Sequence, residues 1–489
     1  MSQVHYLELL RLAAPEAVVL VGALVVLAVD LFAFRDIETR LRRLLLVILG
    51  ASACGAAMAW MAAFPHHGDF MQGMLVVTPL TQWVKAGILV LAIPALLLSA
   101  NSDYTRHWGE YVALMLLAAI GLMFLVSSEN LLVIFIALEL ASLSLYILAA
   151  FHHDALASAE AALKYFLQGS VSAAFTLFGL SLLYGLSGSI DLKEIAAAIG
   201  GPVLDPLLAV AIVMTAVGFG FKIAAVPFHL WVPDVYQAAP VPSAAFIASG
   251  SKLASFFVLA KVLIVGLGGV EGSAAVSRYV PGWVPLLAVL AAVSLLLGNL
   301  AALVQTSVRR LIAYSAIAHA GYMLLGILAG HSGLPALVYY AMTYGITTVG
   351  AFGVVGLVQD RSGGDKLSDF AGLGQREPLL AFCMLVFMLS LAGIPPLAGF
   401  FGKFYLFAAA LTTSSLTLLW LVILAIAMSA VSLYYYLQVL KHIYVAPPPV
   451  NPALGPVPRL SKAVVILAAL AVIVLGCAPH FLLRVLATP

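Results

Sequence analysis

Lys222 stands in the run Ala211-Ile-Val-Met-Thr-Ala-Val-Gly-Phe-Gly-Phe-Lys-Ile-Ala-Ala-Val-Pro227, which holds no other charge. A lysine near the centre of a membrane helix costs about 2.5 to 3.5 kcal/mol on insertion scales, so such residues persist where they serve a pathway or a partner. Lys252 and Lys403 sit in similar apolar settings, and of the 21 acidic residues Glu139 alone reads as near a helix centre. Burial raises a carboxylate's pKa and lowers a lysine's, while pairing opposes both shifts. Glu139 and Lys222 therefore make a pair that can switch between neutral and charged states, with Lys252 and Lys403 continuing a proton path. The competing reading is a static ion pair, with each lysine a snorkelling side chain.

His319, in Tyr314-Ser-Ala-Ile-Ala-His-Ala-Gly-Tyr322, can relay a proton between two lysines through either ring nitrogen, or serve as a satisfied core histidine. His229 follows a helix break and can contact its freed carbonyls. Lys164 follows Glu160 by four residues, so it reads either as a modulator near the mouth or as half of a helical ion pair. Lys85 and Lys261 read as snorkelling residues near span ends. Ser142, Ser144, Ser249, Ser251 and Thr348 can order water or bond their own helices.

These residues need a membrane to sit in. The 489 residues are 64% apolar and 9% charged, against about 25% charged in soluble domains. Fourteen apolar stretches of about 20 residues each suit a hydrocarbon core about 30 Å thick. They are apolar on every face, which predicts helices and excludes a barrel. The fold class is an all-α polytopic membrane protein. Glu8 and Glu16 spoil the basic start of a signal peptide, so the first stretch reads as a span.

Prolines interrupt two spans, around Val226–Pro233 and Leu391–Lys403, and broken helices are tolerated where they line a cavity. Each is the fourth helix of a five-helix unit if helices 4–8 and 9–13 are repeats. Five is odd, so the repeats are inverted, Lys222 and Lys403 become counterparts, and so do Glu139 and His319, each on the second helix of its unit. The predicted organisation is a three-helix scaffold over 1–109, repeats over 110–267 and 268–445, and a C-terminal loop and last helix over 446–489, with a proline-rich stretch at 446–458.

Basic residues orient the chain. Alternate loops hold 13 of them, Arg35, Arg40, Arg42, Arg43, Arg106, Arg309, Arg310, Arg361, Lys366, Arg376, Lys441, Arg459 and Lys462, against 4 opposite, Arg11, Lys193, Arg278 and Arg484. Both termini are thus expected outside. Cys54, Cys383 and Cys477 lack metal-site spacing, and no phosphate-cradling motif is present, so neither a metal nor a cofactor is expected in this chain. The net charge of +2 identifies no partner, and no nucleic acid is expected.

Three segments carry a resemblance. Lys222–Pro242, Gly298–Tyr322 and Ser390–Phe404 are similar to signatures of the antiporter-like subunits of respiratory complex I and related cation antiporters, and the likeness extends over about 110 to 440. Lys403 on the twelfth helix and a chain that stops at fourteen helices resemble the subunit type without a long lateral helix. The resemblance implies a proton-translocating membrane subunit of NADH:quinone oxidoreductase. Glu139 and Lys222 would be the coupled pair, Lys252 the connector and Lys403 the residue of the far half-channel. It also implies other complex I subunits as partners, neighbouring antiporter-like ones included, a bacterial plasma (inner) membrane with periplasmic termini, and NADH, FMN, iron–sulfur clusters and quinone in partner subunits. The alternatives are a subunit of a multi-protein sodium/proton antiporter or a hydrogenase-type complex, and an inert membrane anchor.

Overall fold

The computed structural model describes residues 3–200, 204–275, 278–412, 417–448 and 457–486. Among them, 13 helices are long and apolar enough to cross a membrane. In chain order these are α1 (Ala14–Ala33), α2 (Thr39–Ala63), α3 (Pro79–Ser99), α4 (Trp108–Ser127), α5 (Leu131–Ala149), α6 (Leu156–Ser187), α7a (Pro206–Ile223), α8 (Val241–Ile264), α9 (Trp283–Leu303), α10 (Val308–Leu328), α11 (Gly330–Ser362), α13 (Leu419–Tyr444) and α14 (Arg459–Cys477). The short α7b (Trp231–Ala238) completes α7a, while α12a (Pro378–Ala392) and α12b (Ala398–Thr412) form the remaining span in two pieces. Most of the proline-rich stretch, residues 449–456, lies outside the described residues.

Helix starts follow from local chemistry. Asn130, Asp205 and Ser307 each accept hydrogen bonds from backbone N–H groups of the first turns of α5, α7a and α10, groups with no partner inside the helix. Both expected breaks are present. α7a ends on Ala224 in the left-handed conformation (φ 63°) and α12a on Gly393 (φ 89°). Lys252 directly follows a π-helical segment, Ile247–Ser251, within α8.

The two repeats share matched contacts at equivalent places. A Cβ on Gly121 of α4 would lie 2.6 Å from the Ala141 nitrogen of α5, and a Cβ on Gly298 of α9 would lie 2.5 Å from the Ala318 nitrogen of α10. Only glycine lets the backbones approach so closely, as is common between membrane helices. Just before α5, Leu131 N donates to Ile190 O at 2.8 Å and Leu192 N to Glu129 O at 2.9 Å. Before α10 the same pattern recurs, with Val308 N to Asp365 O at 2.8 Å and Leu367 N to Thr306 O at 2.9 Å. The first bridge lies beside the 68–77 hairpin, where Glu129 N donates to Gly73 O, and the second lies on the arginine-rich face, so the copies are inverted.

This register corrects two expectations. Aligning Gly121 with Gly298 makes Ser142, not Glu139, the counterpart of His319. Aligning the caps Ala224 and Gly393 puts Lys222 opposite Leu391 and Lys403 opposite Asp234, so the two lysines flank their breaks from opposite sides. Two hairpins, β1 (Gly68–Phe70) with β2 (Leu75–Val77) and β3 (Ser273–Ala275) with β4 (Arg278–Val280), and a loop helix Leu192–Ala198 were also not anticipated.

The glycine contacts give a first test. Gly298→Val forces α9 and α10 apart, and overpacking of this kind costs about 1–3 kcal/mol. The variant is expected to unfold at lower temperature in detergent than the parent. Equal unfolding temperatures would contradict the close approach.

Candidate functional site

The first group forms where α7a meets α5. Lys222 is the penultimate residue of α7a and is 7% exposed. Its Nζ donates to Ser142 Oγ at 2.5 Å and Tyr146 OH at 3.1 Å, one and two turns beyond Glu139 on α5. Glu139 lies close enough for its charge to act on Lys222, yet makes no ion-pair contact with it, and its Oε1 has no hydrogen-bond partner. Tyr146 packs edge-on to Tyr165 at 4.6 Å, and Tyr165 stacks on Trp231 at 4.3 Å. Trp231 Nε1 donates to Phe221 O at 3.1 Å, a carbonyl at the end of α7a that also accepts from Ala224 N.

A cavity of about 10 Å³, room for one water, lies between Lys222 and Ser142 on one side and Ser251 and Ser255 on the other. The two serines flank Lys252. Its Nζ donates to Ala316 O at 2.5 Å and lies 5.7 Å from the Tyr344 ring centre. Ala316 is one helical turn before His319, and the Tyr344 ring is 4.9 Å from His319.

His319 is 2% exposed, with Nδ1 paired to Tyr340 OH at 2.6 Å and Nε2 to Tyr436 OH at 3.0 Å. The Tyr322 ring lies 5.6 Å from the imidazole on one side and 4.7 Å from Lys403 Nζ on the other. Lys403 donates to Leu391 O at 3.1 Å, Ala392 O at 3.0 Å and Ser429 Oγ at 2.9 Å. It thus caps the α12a carbonyls that the break leaves open, a favourable place for a cation.

Glu139, Lys222, Lys252, His319 and Lys403 are therefore brought into one internal row. Lys164 and His229 stand apart from it. Lys164 is 44% exposed and pairs with both Glu160 at 2.8 Å and Asp234 at 2.9 Å. His229 is buried in the first break beside the Pro227 carbonyl, with Nδ1 unpartnered. Ser144 and Ser249 bond carbonyls of their own helices.

Glu139 is not the sole deep carboxylate. Glu16 and Lys85, each 1% exposed, form a buried ion pair at 2.7 Å, and Asp30 is buried against Arg42. Lys261 is buried too, donating to the Val126 and Ser128 carbonyls at the end of α4. Neither Lys85 nor Lys261 snorkels. The tyrosines were also missed. Tyr322, Tyr340, Tyr344 and Tyr436 surround His319, and the four-residue spacing of Tyr340 and Tyr344 on α11 was the available signal. The hydroxyls of Tyr322, Tyr344 and Thr348 are buried without a well-formed partner, a costly state that one water at each would relieve. On the arginine-rich face, a cavity of about 600 Å³ opens between the end of α7b and the start of α8, lined by Tyr104, His152, Gln237, Arg309 and Asp360 among others.

Residues 128–429 match the family model described as NADH:quinone oxidoreductase/Mrp antiporter, TM. The chain is 50% identical to NADH-quinone oxidoreductase subunit N 2 of Acidobacterium capsulatum, covering 99% of both. It is 34% identical to a chain of respiratory complex I from Thermus thermophilus, with a TM-score of 0.79 over 97% of this chain and 99% of that one. A chain of the Mrp complex from Dietzia sp. shares the fold at 20% identity, with a TM-score of 0.81 over 98% and 96%. The family model over residues 128–429 and the 50% identity to a subunit N place the chain in the family of antiporter-like membrane subunits that NADH:quinone oxidoreductases share with Mrp antiporters.

Proposed function

We propose that this chain is a proton-translocating membrane subunit of NADH:quinone oxidoreductase and that its buried row is the path. NADH oxidation and quinone reduction take place in partner subunits, which carry the FMN, iron–sulfur clusters and quinone site. The observation that carries the reading is the row itself: Glu139 lies one turn from the serine that holds Lys222, Lys222 faces a water-sized cavity beside Ser251 and Ser255, Lys252 reaches the Ala316 carbonyl one turn before His319, and the Tyr322 ring lies between His319 and Lys403. The relatives' names and the family match supply the respiratory complex.

The arginine-rich face is read as cytoplasmic, which leaves both termini periplasmic. Protons enter on that side and load Lys222. When Glu139 moves closer, Lys222 holds its proton. When a charge change elsewhere in the complex draws Glu139 away, desolvation favours the neutral amine and the proton passes through the cavity beside Ser251 and Ser255 to Lys252. His319 carries it onwards, with one ring nitrogen accepting as the other donates between the Tyr340 and Tyr436 hydroxyls. Lys403 receives it and releases it outwards.

Two measurements test this path. In the assembled enzyme in proteoliposomes, Lys222→Ala, Glu139→Ala and Lys403→Ala are expected to lower protons moved per electron, while Glu139→Asp keeps most of the activity. Full translocation in the three alanine variants would overturn the assignment. Tyr436→Phe removes one hydroxyl shared by His319 and Ser315 and is expected to slow coupled turnover roughly a hundredfold, the lower end of the range for loss of a proton-transfer group. Turnover at the parent rate would take Tyr436 out of the path.

A further inference from the structure

The half-helix α7b covers Lys222 on the cytoplasmic side, and an ion cluster outside the row holds it there. Asp234, at its middle, accepts from Lys164 Nζ at 2.9 Å through one carboxylate oxygen and from Arg310 Nη1 at 3.0 Å through the other. Arg310 also donates to Gln237 Oε1 at 3.1 Å, one turn further along α7b. Lys164 belongs to α6 in the first repeat, whereas Arg310 sits in the first turn of α10 in the second. One carboxylate therefore ties α7b to both halves of the molecule. The neighbouring Arg309, 3% exposed, donates to the Tyr236 carbonyl at 2.7 Å and to that of Ala239, which fixes the far end of the same half-helix.

Movement of α7b is transmitted to Lys222 by its first residue. Trp231 holds the Phe221 carbonyl next to Lys222 and stacks at 12° on Tyr165, whose neighbour Tyr146 accepts a hydrogen bond from Lys222. Lys164, Asp234 and Arg310 keep side-chain exposures of 44%, 31% and 31%. Part-exposed pairs are individually weak, so this clamp can open without unfolding the bundle. Glu160, at 2.8 Å from the same Lys164 ammonium, offers it an alternative partner once Asp234 lets go.

The repeat supports a distinct role for this acid. Aligned on the caps of the two breaks, Asp234 occupies the position that Lys403 holds in the second copy. Where the second copy places a row residue on the half-helix after its break, the first places a carboxylate that faces cations on two neighbouring helices.

We propose that Asp234 is a positioning residue: clamped between Lys164 and Arg310, it holds α7b closed over Lys222, and release of the clamp admits protons from the cytoplasm to that lysine. This rests on the reading of Lys222 as a proton carrier. The test uses the assembled enzyme with Asp234→Asn, Asp234→Glu, Arg310→Gln and, as reference, Lys222→Ala. It measures amide hydrogen exchange across residues 225–238 and protons translocated per electron.

Asp234→Asn is expected to raise exchange in that segment roughly fivefold, the scale on which two part-exposed ion pairs act. It also lowers protons per electron, while Asp234→Glu restores both. Arg310→Gln, which removes only one arm, gives a smaller rise in the same segment. Unchanged exchange in Asp234→Asn and Arg310→Gln overturns the clamp, and so does a rise spread evenly over the whole chain. If Lys222→Ala abolishes its share of pumping while Asp234→Asn does not alter pumping, the clamp fails and the path stands. If Lys222→Ala pumps normally, the path itself fails.

Discussion

An ammonium group inside a membrane protein must find oxygen atoms, and this requirement shapes the interior more than any other. Three row lysines meet it without a carboxylate in contact. Lys222 uses the hydroxyls of Ser142 and Tyr146, Lys252 the carbonyl of Ala316, and Lys403 two carbonyls at the end of α12a together with Ser429. Helical carbonyls are normally occupied by the helix's own N–H groups, so a broken helix is the natural source of free ones. The second break thus supplies the acceptors that hold Lys403. By contrast, Lys85 is matched to Glu16 in a closed ion pair, an arrangement suited to holding α1 against α3. Neutral acceptors stabilise an ammonium while leaving a proton able to depart.

Inversion explains how one five-helix plan yields a continuous row. The close glycine contacts and the bridges before α5 and α10 recur in both frames, while the candidate site residues differ at equivalent positions. The α5 position that receives Lys222 is Ser142, and its equivalent on α10 is His319. The break that bears Lys222 before it has an equivalent with a leucine there, and the lysine of the second copy lies after its break. Each frame therefore places one lysine beside its break, but on opposite flanks, with α8 and Lys252 between them.

Most of the architecture could be read from the chain because a bilayer leaves few options: long apolar runs become helices, and prolines within them become breaks. The deep lysines stood out for the same energetic reason. Asp234, Tyr340 and Tyr436 did not. Asp234 is an ordinary acid near a span end until its neighbours from α6 and α10 are known, and a tyrosine in an apolar helix is usual packing. Lys85 and Lys261 were misread because distance from a span end does not tell whether a snorkelling route is open. In both cases neighbouring elements close it, and an acid or a helix end supplies the partner. The Lys222 and Lys403 correspondence failed on register: the motifs locate both breaks, but only the caps Ala224 and Gly393 show which flank each lysine occupies.

Under the proposed path, Glu139 is the row member best placed to set the proton affinity of Lys222. Carbonyl and hydroxyl dipoles around Lys252 and Lys403 are fixed by packing, so their influence on proton affinity is the same throughout a cycle. A carboxylate differs, because it can change both its charge and its distance. Glu139 is half-buried on α5, beside a face on which Ile136, Leu140 and Leu143 are exposed to whatever surrounds the chain. It is thus the one member of the row that a charge outside this chain can reach with little intervening protein. In a medium of low dielectric such a charge acts far more strongly than it would through water. In the proposed path, Lys222, held by the hydroxyls of Ser142 and Tyr146, would translate that signal into the gain or loss of a proton.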